Sequence, residues 1–128
     1  MRIMEKTTLS KAYQLQLAAA NIGFDWPAID NIFEKLDEEI AELKTAIKNK
    51  DVDNIVEELG DLLFTSVNCC RHLGIEPDNA LHIANNKFKQ RLRCVEKIAR
   101  KKQINMALSS LEELQALWEE AKQYGEKS

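Results

Sequence analysis

Glu39 and Glu42 stand three apart in the run EEIAEL, and Glu58 and Asp61 stand three apart in EELGDLLF. Residues at that spacing share a face of an α-helix. Each pair therefore sets two carboxylates side by side, where they repel. Two such pairs inside apolar-periodic segments call for a cation between them. All-oxygen ligands favour a hard divalent ion, Mg²⁺, with Mn²⁺ as a substitute. Acidic residues at helical spacing are also common on solvated faces, and Glu112, Glu113, Glu119 and Glu120 read that way. The two pairs differ in falling on consecutive helices, with Gly60 inside the second. Glycine in a helix interior costs about 1 kcal/mol relative to alanine, so Gly60 predicts close approach by another group, such as a neighbouring helix.

Five helices must carry these residues. The first spans about 8–21 and is broken by Gly23-Phe24-Asp25-Trp26-Pro27. Pro27 suits the first turn of the second, about 27–49, whose apolar stripe is Ile29, Ile32, Phe33, Leu36, Ile40, Leu43 and Ile47. Asp51 reads as the N-cap of the third, about 52–73, and Gly74 as its stop. Apolar residues on more than one side of this helix suit a central position. Pro77 opens the fourth, about 77–101, with Leu81, Ala84, Phe88, Leu92, Val95 and Ile98 inward. A polar stretch follows, and Ser110-Leu111-Glu112-Glu113 matches a capping box that starts the fifth helix, about 110–124. Short links make the middle helices antiparallel neighbours in a bundle. On a helical wheel both acidic pairs flank the apolar stripes, so four carboxylates are expected to converge at the bundle edge.

Composition narrows the function. The chain has 128 residues, the length of one domain, with 45% apolar and 30% charged residues, as in a soluble helical protein. A bundle of this size often completes its core with a partner subunit. Net charge is −3 and the longest basic run is Arg100-Lys101-Lys102, which argues against a phosphate-neutralising surface for polymeric nucleic acid. Cys69, Cys70 and Cys94 form an odd set without metal-type spacing and read as reduced residues of a cytoplasmic protein. No apolar run reaches the length of a membrane span, and the N-terminus lacks an apolar signal segment. His72 and His82 have no Cys or His at ligand spacing. Thr65 and Ser66 have no His–Asp pair to activate them. No glycine-rich phosphate cradle occurs.

The pattern Glu39-x-x-Glu42, fifteen intervening residues, then Glu58-x-x-Asp61 resembles the signature of the MazG family of nucleoside triphosphate pyrophosphohydrolases. The segments KAYQLQLAAANIGFDWP (11–27), EELGDLLFTSVNCCRHLG (57–74), ALHIANNKFKQR (80–91) and LEELQALWEEAK (111–122) extend the resemblance over about 9–124. Dimeric dUTPases and phosphoribosyl-ATP pyrophosphohydrolases share related acidic signatures. Some MazG relatives carry two such domains, whereas this sequence has one.

The resemblance implies an all-α MazG-like bundle, a four-helix core with an additional C-terminal helix, completed by oligomerisation into at least a homodimer. It implies hydrolysis of nucleoside triphosphates between the α- and β-phosphates, giving a monophosphate and pyrophosphate, and a role in clearing unwanted nucleotides. Glu39, Glu42, Glu58 and Asp61 would then hold Mg²⁺. Such an ion neutralises phosphate oxygens and lowers the pKa of a bound water. Adjacent Glu38 could serve beyond the metal or take a proton from that water. Asn85, Lys87, Phe88 and Arg91 match the family's NxKFxxR pattern. Lys87 and Arg91 share a helix face and suit phosphate oxygens as a point charge and a planar fork. Without the resemblance they read as two solvated cations. Asn85 is either a nucleotide contact or a core amide. Trp118 is a packing anchor or, by resemblance, a residue approaching the nucleotide, with Lys122 beside it. Trp26 is core or a wall of the base pocket. Two rival readings are a narrower pyrophosphohydrolase, for dUTP, dCTP or phosphoribosyl-ATP, and a non-catalytic helical dimerisation module.

Overall fold

Caps written into the sequence set the limits of the helices. In this computed structural model residues 7–126 are described. They form α1 (Leu9–Asn21), α2 (Ile29–Lys48), α3 (Val52–His72), α4 (Pro77–Lys101) and α5 (Leu111–Glu126), with a 3-10 turn at Met106–Leu108 and no strand among the described residues. The fold class is all-α, as expected. Thr8 starts α1 by accepting a hydrogen bond from the Lys11 amide at 3.2 Å. Asp51 starts α3 in the same way, accepting from the Asn54 amide at 3.2 Å. Ser110 and Glu113 form the reciprocal capping box at the start of α5, at 3.1 and 3.2 Å. Gly74 adopts φ +71 immediately after the C-cap of α3, the left-handed conformation that a glycine tolerates best. Pro27 lies one residue before the N-cap Ala28 rather than in the first turn of α2, because the Asn31 side chain caps the Ala28 amide at 3.2 Å.

The chain divides into two compact units, Met1–Ala80 and Leu81–Ser128, with the boundary inside α4. In the first, α2 packs along α3, and α1 packs on α3. The α2–α3 link turns at Lys50, which takes φ +56. Cross-helix pairs run in opposite directions, Glu39 with Thr65 and Glu42 with Glu58, which makes α2 and α3 antiparallel. Ser10 on α1 donates to Asp78 in the first turn of α4 at 2.5 Å. The buried apolar residues here are Ile32, Ala46 and Val67, and they are outnumbered by buried polar ones: Gln16, Glu39, Glu58, Thr65 and Asn68. Burying polar groups is costly unless they are paired; Gln16, Thr65 and Asn68 each make a side-chain hydrogen bond, whereas one carboxylate oxygen of Glu39 and one of Glu58 have no partner.

The second unit closes around Val95, Ile98, Ala99, Leu117 and Ala121, with Cys94, Ile104, Met106, Leu114 and Trp118 packed against them. Here the expected inward stripe of α4 requires correction. Val95 and Ile98 are buried, but Leu81, Phe88 and Leu92 are exposed in the single chain. Periodicity marks an apolar face without saying which surface covers it. Exposed Phe33, Ile40, Ile47, Val56, Leu59 and Leu63 make the same point for α2 and α3.

Candidate active site

The α2–α3 hairpin brings acids of both pairs together. Glu39 is only 1% exposed. Its Oε1 accepts a hydrogen bond from Thr65 Oγ1 at 2.7 Å, while its buried Oε2 has no partner. Glu58 is 8% exposed, and its buried Oε2 is likewise without a partner. Loss of hydration pushes the Glu58 carboxyl above its ordinary range. A hydrogen bond with Glu42, and then the charges of Glu42, Asp61 and Glu57, add to that rise. Glu42 and Glu58 share one cleft of about 260 Å³ with Ala41, Thr45 and Asn54.

The sequence-derived acids are therefore not equivalent. Glu42 and Glu58 meet across the two helices in one cleft, where Glu42 adds to the rise of the Glu58 carboxyl. Asp61 stays exposed but close enough to Glu58 to act on its charge. Glu39 is sealed against Thr65. Glu38 is exposed and pairs with Lys35 at 3.5 Å. Among the described residues no three acidic, His or Cys side chains are gathered into a ready-made metal cage.

Gly60 also differs from expectation: a Cβ built on it meets nothing within 4 Å, so no neighbour in this chain demands the glycine.

In the second unit the Arg91 guanidinium carbon lies 5.9 Å from the Trp118 ring centroid, within cation–π range. The Phe88 and Trp118 centroids are 5.6 Å apart at 43°. Trp118 is thus a packing anchor that also holds Arg91. Lys87 is exposed and Lys122 half-buried. Asn85 is exposed in the single chain.

The sequence model of the MazG nucleotide pyrophosphohydrolase domain matches residues 28–96, more than half of the chain, from the start of α2 well into α4. The chain belongs to this family. It is 39% identical over 118 residues to the "Nucleoside triphosphate pyrophosphohydrolase" of Escherichia coli, covering 89% of this chain and 44% of that protein. It is 40% identical over 114 residues to the "Nucleoside triphosphate pyrophosphohydrolase/pyrophosphatase MazG" of Thermotoga maritima, again covering 89% and 44%. The chain thus spans less than half the length of these relatives.

For a MazG domain the orphaned oxygens are the informative feature. Two buried carboxylate oxygens, one on each helix, lack any donor. A buried acceptor without a partner is unfavourable, and oxygen donors of this type suit a hard divalent cation. The residues present therefore fit a Mg²⁺ or Mn²⁺ ion.

Sequence reasoning passed over Thr65, having considered it only as a nucleophile. Its signal was spacing, since Thr65 follows Glu58 by seven and Asp61 by four, on the same face of α3. Asn54, four before Glu58, has the same signal. Trp26 is half-buried and lines a second cleft, of about 430 Å³, with Gln16, Phe64, Asn68 and Arg71.

Proposed function

We propose that this MazG domain is a Mg²⁺-dependent nucleoside triphosphate pyrophosphohydrolase that converts a triphosphate and water to a monophosphate and pyrophosphate. The observation that carries the proposal is the pair of buried, partnerless oxygens on Glu39 and Glu58, facing the α2–α3 seam where Glu42 also lies. The printed names of the relatives support the same reaction.

Glu39, Glu42, Glu58 and Asp61 are the residues to hold the ion. When bound, the ion supplies charge neutralisation for the phosphate oxygens and a more acidic water. The remaining work falls to the chain. Thr65 fixes the rotamer of Glu39 so that Oε2 stays available. Glu38, solvated beside Lys35, is the candidate acceptor for a proton from the attacking water. Lys87, Arg91 and Lys122 supply cations for phosphate oxygens, with Arg91 held in place by the Trp118 ring. Asn85, exposed beside them, contributes an amide to the nucleotide.

Exposed Leu59 and Leu63 on α3, and in the second unit exposed Leu81, Ile83 and Phe88 on α4, support assembly into at least a homodimer, since exposed apolar side chains of this kind favour burial against a partner. The three free cysteines suit the reducing cytoplasm. A role in removing unwanted nucleotides is consistent with this chemistry.

The test is incubation with each common nucleoside triphosphate and Mg²⁺, quantifying monophosphate, pyrophosphate and orthophosphate. Equimolar monophosphate and pyrophosphate is the expected result. Glu58→Gln should reduce the rate at least ~100-fold and abolish the Mg²⁺-induced rise in melting temperature. No turnover, or orthophosphate in place of pyrophosphate, overturns the proposal. The non-catalytic module predicts neither turnover nor a thermal response to Mg²⁺.

A further inference from the structure

We infer that the cleft between the last turns of α4 and the end of α5 binds a second nucleotide, with Lys97, Arg100 and Lys101 on its phosphates and Tyr124 against its base. This does not depend on the hydrolytic reading above.

The basic run Arg100-Lys101-Lys102 has no part in the proposed reaction. Beside it lies a cleft of about 640 Å³. Its walls among the described residues are Cys94, Lys97, Ile98, Arg100, Lys101 and Tyr124, all in the second unit. Lys87, Arg91, Trp118 and Lys122, assigned above to the substrate, are not among them.

The cations of this cleft are unmatched. Lys102 is neutralised by Glu120 at 2.9 Å. None of the ion pairs among the described residues uses Lys97, Arg100 or Lys101, and no acidic residue is a wall of the cleft. The helix dipole favours cations in the last turn of α4, which accounts for Arg100 and Lys101. It does not account for Lys97, one turn earlier, because the effect fades beyond the terminal turn. Lys97 and Lys101 also stand four apart, where like charges on a helix repel. Three positive charges around one cleft are the complement of an anion carrying several negative charges.

The remaining walls say which anion. Tyr124 lines the cleft yet is 59% exposed, so much of its ring is open to a ligand. Buried Ile98 adds apolar surface. A flat heterocyclic base stacks on an aromatic ring whatever its sequence of edge atoms. Inorganic phosphate would use the cations and leave Tyr124 idle, and an acidic peptide segment would bring charge without a ring. The volume is that of a site for a small organic molecule, typically about 300–1,000 Å³. A nucleoside diphosphate carries both parts, clustered charge and a flat ring.

The experiment titrates the full chain, ¹³C-labelled at tyrosine rings and isoleucine methyl groups, with ADP in chelator-containing buffer, following Tyr124 and Ile98. ADP should shift both saturably. Adenosine and inorganic pyrophosphate, each one half of the ligand, should bind there at least ~10-fold more weakly. Replacing both exposed cations, Lys97→Gln with Arg100→Gln, should weaken ADP at least ~10-fold by the same readout. Arg91→Ala should leave the Tyr124 response within about 2-fold of wild type. If ADP leaves Tyr124 and Ile98 unmoved, the site is refuted whether or not triphosphates are hydrolysed. Pyrophosphate binding as tightly as ADP would reduce the cleft to an anion patch and overturn the nucleotide assignment. Loss of the Tyr124 response in Arg91→Ala would place ADP on the substrate residues and overturn it too. Should the double variant fail to fold, Lys97→Gln alone gives the same comparison.

Discussion

Replacing Thr65 with valine isolates the one hydrogen bond that holds Glu39. The substitution keeps the β-branched shape of a buried residue and deletes only the hydroxyl that donates to Glu39 Oε1 at 2.7 Å. Because Glu39 Oε2 already lacks a partner, the variant leaves this 1%-exposed side chain without the donor that orients it. A hydrogen bond to a charged acceptor contributes about 1.5–3 kcal/mol. Thr65→Val should therefore cost about 2 kcal/mol. For a domain of this size each kcal/mol moves the melting temperature by about 4 °C, so the midpoint should fall by about 8 °C in metal-free buffer. Outer partners that orient a metal ligand typically change metal affinity about 10–100-fold, so Mg²⁺ should bind at least ~10-fold more weakly to the variant. Calorimetric melting and Mg²⁺ titration by isothermal calorimetry measure the two effects. Thr65→Ser, which keeps the donor, should recover most of both. A Thr65→Val protein that melts with wild type and takes up Mg²⁺ equally well would show that Thr65 does not hold Glu39, and the positioning argument would fail.

Three further outcomes are expected. Arg71 holds the Asp25 carboxyl below its ordinary 3.8, chiefly through their hydrogen bond. A lowered folded-state value means that this contribution is present above pH 3.8 and is lost as pH falls through the lower folded value. Asp25→Asn should cost about 1 kcal/mol at neutral pH, the pair being partly exposed, and should flatten the acid limb of a melting-temperature profile. An unchanged acid limb would mean that the ion pair contributes nothing in solution. Gly60→Ala should stabilise the protein by about 1 kcal/mol, since the added Cβ meets nothing within 4 Å in this chain and helix propensity improves. A drop in thermal stability would reveal a partner chain packed against that position. Lys87→Ala and Arg91→Ala should each raise KM for triphosphates about 10-fold, as expected for one charge-assisted contact, while Mg²⁺ affinity stays within 2-fold in direct titration. Wild-type KM in both would remove these residues from the site.

How much of this was legible beforehand depended on the range of the interactions. Asp51, Gly74 and Ser110 marked helix ends correctly because caps are settled within three or four residues. The acidic pairs were legible for the same reason, as spacing along a helix already decides which side chains are neighbours. The apolar stripes were visible too, but Leu81 and Phe88 turned out to be uncovered by this chain. A stripe records that a face is apolar, not what lies opposite. Gly60 was not accounted for by this chain, because a glycine's reason lies in its surroundings and within the single chain those are open.

By itself the sequence determined five helices, two of them bearing paired carboxylates, and a signature specific enough to place the chain in its family. Only the tertiary structure decided that Glu39 is buried and Asp61 is not, that Glu42 meets Glu58, and that Gln16 and Arg71, which line one cleft, each keep a buried polar atom without a partner. The reason is distance along the chain. Helix caps and faces obey rules spanning a single turn, whereas Thr65 reaches Glu39 across 26 residues and Gln16 reaches Phe64 across 48. Whether a carboxylate or an amide is buried, paired or left waiting for a partner is set by what packs opposite it.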